Sequence, residues 1–354
     1  MTARKLLVAA LLVATALPAA AEEEAESSDS AAARVAADGT VIRGSASSPW
    51  RGSWLSYDHV FNTVGLDKGA ELTWNPYYAQ SLTISPRYYL SDEFFVSASW
   101  SLEQELTDSD WTTKKREIVW SDLFVEVGWI GWQEPTSQIR ITPTLRIGLP
   151  ISQVSAASTQ ILSLAGSVRL SRNFSVLQGL NVSWSGRWTQ RFHDSTTPVK
   201  DETGVVGCEV DSTCDAAESF ANQGYLNAWG DLSTGPSLVL SVFDGFRLNA
   251  DMRVGKSFLY DNADGSVEVM GEERKAPSSA YARGFDGRYN TYFGLGAAYD
   301  IWPELTLSAG VSTPSPQLGA DGERRSPFFN RYTQIGFGVS LDVDVFSSRL
   351  FPRG

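Results

Sequence analysis

Residues 139–149 read Ile139-Arg140-Ile141-Thr142-Pro143-Thr144-Leu145-Arg146-Ile147-Gly148-Leu149, apolar and polar in strict turn. Successive side chains of a β-strand point to opposite faces, so the isoleucines, leucines and Pro143 share one face while Arg140, Thr142, Thr144, Arg146 and Gly148 share the other. A strand this long, greasy on one side and wet on the other, suits a sheet standing between hydrocarbon and water.

The same period recurs along the chain. Leu82, Ile84, Pro86, Tyr88 and Leu90 alternate with polar residues, followed by Phe94, Val96, Ala98, Trp100 and Leu102, then Leu123, Val125, Val127 and Trp129. After residues 139–149 come Leu162, Leu164, Val168 and Leu170, then Leu180, Val182, Trp184 and Trp188. Beyond a long polar stretch lie Leu238, Leu240 and Val242, then Phe246, Leu248, Ala250, Met252 and Val254. Phe293, Leu295 and Ala297, then Leu305, Leu307, Ala309 and Val311, and finally Ile335, Phe337, Val339, Leu341 and Val343 complete the set. Pro86 and Pro143 lack a ladder donor, which predicts local bulges beside them.

Short links near Ser91, Pro135, Asn173, Asp244 and Pro303 alternate with long ones centred near Ser109, Ser155, Asp211, Gly271 and Gln317. Eleven readable strands and an even total imply one more near the start, drawn either from Leu55, Tyr57, His59 and Phe61 or from Ala70, Leu72 and Trp74. The expectation is an all-β fold: a single antiparallel transmembrane β-barrel of about 12 strands, with short periplasmic turns, long extracellular loops and both termini periplasmic. A secreted β-sandwich also alternates, but buries its greasy faces against each other and uses shorter strands.

Arg4 and Lys5, the apolar run from Leu6 to Leu17, and Pro18-Ala19-Ala20-Ala21 form a secretory leader over residues 1–21. The run is too short to span a bilayer, so an exported chain of this kind enters a membrane only as a closed sheet. Residues 22–49, rich in Glu, Ser, Ala and Asp, read as a disordered acidic tail. The barrel is expected over 50–346 and a periplasmic tail over 347–354. The formal charge of -12 becomes -14 once Arg4 and Lys5 leave, which argues against a nucleic-acid partner. Twelve Trp, twelve Tyr and seventeen Phe would supply interfacial aromatic belts.

Over residues 50–346 the chain resembles the Gram-negative outer-membrane β-barrel proteins, on pattern and not on a family motif. The resemblance implies location in the bacterial outer membrane, contact with its lipid, and service as a pore, transporter, enzyme or anchor. An aromatic final residue is usual in that class, whereas this chain ends Leu350-Phe351-Pro352-Arg353-Gly354.

On the polar face the expected pore lining is Arg140, Arg146, Arg169, Arg187, Arg191, Arg247 and Arg253, with Glu103, Glu105, Asp122, Glu126 and Asp342; Asp344 follows the same parity. Read strand by strand, this gathers acids on one arc and arginines on a neighbouring or opposite one, an arrangement that selects ions and orients dipolar solutes. Phe192-His193-Asp194-Ser195 is similar to the His-x-Ser pair of outer-membrane phospholipases and lipid A deacylases, which implies a base at His193 and a nucleophile at Ser195. Thr196-Thr197 replaces the Asn-Gly that follows the serine in the phospholipases. Cys208 and Cys214, six apart in an exported loop, are expected to form a disulfide. No cofactor or metal is expected.

The leading functional expectation is a narrow pore for small polar or charged solutes. Next comes a non-conducting barrel that anchors an envelope assembly with protein partners, and third a lipid hydrolase using His193 and Ser195.

Overall fold

In the computed structural model, residues 48–63, 77–107, 116–196, 226–260, 266–269, 272–275, 287–317 and 324–350 are described. Twelve strands make the wall. β1 (Trp54–Asn62), β2 (Tyr78–Ser85, continued as Arg87–Tyr89) and β3 (Phe94–Glu105) lead into β4 (Ile118–Trp120, continued as Leu123–Trp129 and Trp132–Gln133). β5 (Arg140–Leu149), β6 (Gln160–Phe174), β7 (Gly179–His193) and β8 (Ala228–Phe243) follow. β9 (Phe246–Leu259), β10 (Gly287–Trp302), β11 (Leu305–Pro316) and β12 (Gln334–Asp342) complete it. Each strand pairs antiparallel with its neighbours in sequence, and β1 pairs with β12 from Trp54↔Asp342 to Asn62↔Gln334. That seam removes the free edges, so the sheet is a closed barrel.

Both ends of the chain's barrel segment, Trp54 and Asp342, lie at the short-turn end. Leu55, Tyr57, His59 and Phe61 face out from β1, so the first of the two candidate runs is the first strand; the run from Ala70 to Trp74 lies outside the described residues. Residues 1–21, expected as a secretory leader, most of the expected acidic tail, and Cys208 and Cys214, expected as a disulfide, also lie outside them. Ser48 and Pro49, expected in the tail, are built into the short-turn end: Ser48 Oγ bonds Asp344, and Pro49 O accepts from Tyr89 N at 2.7 Å.

Burial runs opposite to that of a water-soluble protein. Among the described residues, ten hydrophobic residues are buried against thirty polar or charged ones, while forty large hydrophobic side chains are exposed. Two sheets pressed over a dry core would give the reverse, so the sandwich is excluded.

The prolines interrupt the wall in two ways. Pro86 splits β2 between Ser85 and Arg87. Pro143 sits inside an unbroken β5, and the irregularity falls on its neighbour instead. β4 passes from Gly128↔Thr144 to Trp132↔Ile141, one residue more than β5 uses, and turns at Gly131 with φ of 89°. A Cβ on Gly131 would lie 1.5 Å from Ile141 O, so only glycine fits that bulge.

The last strand ends at Asp342, short of the expected Val343 and Asp344. Val343 and Asp344 belong to helix α2 (Val343–Leu350), not to β12. Asp342 Oδ1 accepts from Val345 N at 3.2 Å, and Val343 N donates to Ser53 O at 2.9 Å, so the chain leaves the sheet as a capped helix beneath the seam.

Candidate functional site

The inner wall is the site, and strand parity places its side chains. Arg146 on β5 stands directly across from Glu126 on β4, and Arg140 and Thr142 on β5 stand across from Ser171 and Arg169 on β6. Arg187 and Arg191 share a face with Ser183 and Ser185 on β7, and Arg247 and Arg253 share one with Asp251 on β9. Glu103 and Glu105 face inward from β3 beside Ser81 and Ala79 of β2.

The expected segregation into an acidic arc and a basic arc does not hold. Asp231, Asp251 and Asp300 stand among the arginines, and neighbouring strands join them in pairs. Arg146 Nε donates to Glu126 at 3.1 Å and Arg247 Nη2 to Asp300 at 2.9 Å, while Arg191 Nη2 forms an ion pair with Asp231 at 3.2 Å. Asp251 lies in the field of Arg253 on its own strand and of Arg169 on β6, three strands away. The signal for these acids was available in the sequence: Asp231 shares parity with Ser233 and Ser237, and Asp251 with both β9 arginines. Which partner each takes depends on register. Glu126 and Arg146 are direct partners, but Arg191 reaches diagonally past the Thr189↔Asp231 pair, and Arg247 past Ala298 to Asp300.

The other acids are held in local hydrogen bonds. Glu103 accepts from the Tyr77 hydroxyl, Glu105 from Thr107 Oγ1 at 2.8 Å, and Asp58, a further inward acid on β1, from Ser56 Oγ at 2.7 Å. Arg140 lies at the rim of the short-turn end, donating Nη2 to Gln133 at 3.2 Å.

Asp122 does something else. Its oxygens accept from Ser152 N at 2.9 Å, Ser155 Oγ at 2.5 Å and Gln160 Nε2 at 3.4 Å, which ties helix α1 (Gln153–Ala157) against the wall at the long-loop end. Ser152 caps that helix by accepting from Ser155 N at 3.0 Å. His193 closes the same region. Its Nδ1 faces Ser158 O at 2.8 Å and its Nε2 faces Ala228 O at 3.1 Å. Asn227 Nδ2 adds bonds to Ser158 O at 2.8 Å and Ser195 O at 2.9 Å. Both ring nitrogens of His193 lie against backbone carbonyls, and Ser195 joins the same network through its own backbone, its N–H donating to Thr159 Oγ1 at 3.0 Å. The pair at 193 and 195 is thus part of a loop clasp.

At the short-turn end lies a stack of rings and guanidiniums not anticipated from sequence. The guanidinium of Arg51 lies 3.6 Å from the Tyr89 ring, Tyr89 lies 5.8 Å from Phe95, and the guanidinium of Arg87 lies 4.5 Å from the Phe95 ring. Phe95 is fully buried. Its ring covers Gly128 on β4, where an added Cβ would lie 2.2 Å from Phe95 Cζ. The inward parity of Phe95 was legible, since it alternates with Phe94 and Val96.

No known protein family matches the sequence, and no curated protein matches it. Among solved structures the chain is similar to an outer membrane channel from Pseudomonas putida F1, with 9% identity, 82% of this chain and 93% of that chain covered, and a TM-score of 0.46. It is also similar to the NanC porin, with 10% identity, 82% and 100% covered and a TM-score of 0.43. The KdgM porin in complex with disordered oligogalacturonate shows 8% identity, 81% and 98% covered and a TM-score of 0.40.

Proposed function

We propose that this chain is exported by a cleaved leader over residues 1–21, spans the bacterial outer membrane, and forms a narrow pore for small polar or charged solutes. The observation that carries the reading is the inverted burial: a closed wall with apolar side chains outside and Ser, Thr, Asp and Arg inside. Such a wall satisfies its backbone in lipid and encloses an axis that water can wet. Twelve strands put the interior between that of a barrel filled by its own side chains and that of a wide aqueous channel. The inner arginines Arg140, Arg146, Arg169, Arg187, Arg191, Arg247 and Arg253, with Glu103, Glu105, Asp122, Glu126 and Asp342, set its charge preference. Short turns face the periplasm and long loops the exterior.

The stack of Arg51, Tyr89, Phe95 and Arg87 favours a second reading, a non-conducting barrel that anchors an envelope assembly. One experiment separates the two. Purified full-length protein is first checked for heat-modifiable migration on a denaturing gel, then added to a planar bilayer across a salt gradient. Discrete conductance steps are expected, together with a shift of reversal potential towards cations in the Arg146→Gln/Arg187→Gln double variant. A heat-modifiable protein that never conducts supports the anchor, and an unchanged reversal potential removes Arg146 and Arg187 from the conduction path.

A further inference from the structure

Lys256 faces outward from β9 opposite Tyr289 of β10, with Nζ 4.8 Å from the Phe258 ring and 5.2 Å from the Tyr289 ring. Snorkelling lysines and aromatic rings collect where hydrocarbon meets headgroups, so Lys256 marks that level at the long-loop end. Phe293 lies four residues nearer the short-turn end on β10, also facing out.

Residues 324–333, which lead into β12, lie against the outside of the wall near this level. Thr313 is the outward partner of Phe293 on β11, and its Oγ1 donates to Phe328 O at 3.0 Å. The Phe328 ring meets Phe293 edge-on at 5.0 Å. Thr313 and Thr333, their hydroxyls 3.0 Å apart, are fully buried beneath the loop. Ser326 Oγ accepts from Phe328 N at 3.3 Å and Phe329 N at 3.4 Å, and Asn330 Nδ2 donates to Ser326 O at 2.8 Å and Ser315 Oγ at 3.1 Å. The loop is therefore internally bonded and pinned to the wall, yet Phe328 and Phe329 remain 56% and 65% exposed. Adjacent exposed rings held out by a bonded loop, on a wall facing lipid, have acyl chains as their natural contact.

Cations gather in the same loop. The guanidiniums of Arg325 and Arg331 lie 5.1 Å and 5.5 Å from the one ring of Tyr332. Arg325 Nε has no hydrogen-bond partner among the described residues. From 317 to 333 three arginines outnumber Asp321 and Glu323, so the segment is positive on a chain that is strongly negative. Guanidinium forks match phosphate oxygens, and rings beneath them match the acyl chains below a headgroup.

We propose that residues 324–333 form a seat for an anionic lipid, with acyl chains against Phe328 and Phe329 and the headgroup phosphate on Arg325 and Arg331. The proposal rests on the membrane-barrel reading. The test is native mass spectrometry of full-length protein in detergent micelles, titrated with phosphatidylglycerol or with phosphatidylcholine of the same chains. Wild type is expected to retain phosphatidylglycerol with roughly fivefold preference or more. Arg325→Gln/Arg331→Gln should bring the two titrations together, whereas Phe328→Ser/Phe329→Ser should weaken both lipids alike. Heat-modifiable migration is measured on every sample. Intact migration with equal retention in wild type, or a preference that survives in the arginine variant, overturns the seat alone. A wild type that does not migrate in this way overturns the membrane reading and the seat with it.

Discussion

At the residue scale the inner wall is a set of close fits between small residues and the side chains opposite them. Gly128 illustrates this, because Phe95 occupies the space its Cβ would take and is itself in contact with Tyr89 and the Arg87 guanidinium. A ring so buried and so contacted moves aside only at a cost. Gly128→Ala should therefore cost about 1–3 kcal/mol, the usual range for overpacking. The same substitution made on Phe95→Ala should cost little, since the clash is gone. A double-mutant cycle on the urea midpoint of the folded barrel reads the coupling, and additive costs would show that Phe95 does not lie over Gly128. The charged pairs belong to this scale too. Parity assigned each arginine to a face, but it could not show that Asp231 and Asp300 lie within reach of Arg191 and Arg247, because diagonal reach depends on a register that only the turns determine.

At the element scale, strands with aliphatic outer faces were legible along most of their length and strands with small outer faces were not. β8 is the clearest case. It starts at Ala228, yet alternation becomes visible only at Leu238, because the outward positions before it include Gly230, Thr234 and Pro236. Its polar partner residues made that half read as loop. Helix α1 was missed for a different reason: five residues are too few for a periodic signal, and its stability comes from a carboxylate 31 residues before its first residue. Asp122 accepts from Ser152 N and Ser155 Oγ, so Asp122→Ala should leave both donors without their acceptor, at a cost of about 1–3 kcal/mol confined to that loop. Hydrogen exchange should show faster exchange over residues 151–158, with protection in β5 and β6 unchanged. Loss of protection throughout the wall would instead place Asp122 among the residues that hold the barrel closed.

At the scale of the whole molecule, the fold follows from one physical demand, that no strand edge be left unpaired. The sequence made the closed barrel and its strand number legible because a count of eleven with alternating short and long links leaves one strand owing. It did not reveal how the ends are finished, since Ser48 with Asp344 and Ser53 with Val343 make contacts between residues nearly 300 apart. Closure is made along β1 and β12, where Gly338 pairs with Asp58 on one side and Ser308 on the other. A Cβ on Gly338 would lie 1.8 Å from Asp58 Oδ1 and 3.2 Å from Ser308 Oγ, so the seam accepts glycine there and nothing larger without displacement. Gly338→Val should therefore impede the final pairing and not the hairpins that precede it. Refolded from urea into micelles, the variant should yield less of the fast-migrating compact form than wild type, with strand content by circular dichroism largely retained. Adding Asp58→Ala removes the nearer obstruction and should restore most of the compact form. A Gly338→Val protein that closes with wild-type yield would mean that Asp58 does not fill the space above that glycine and that the seam is looser than its register implies.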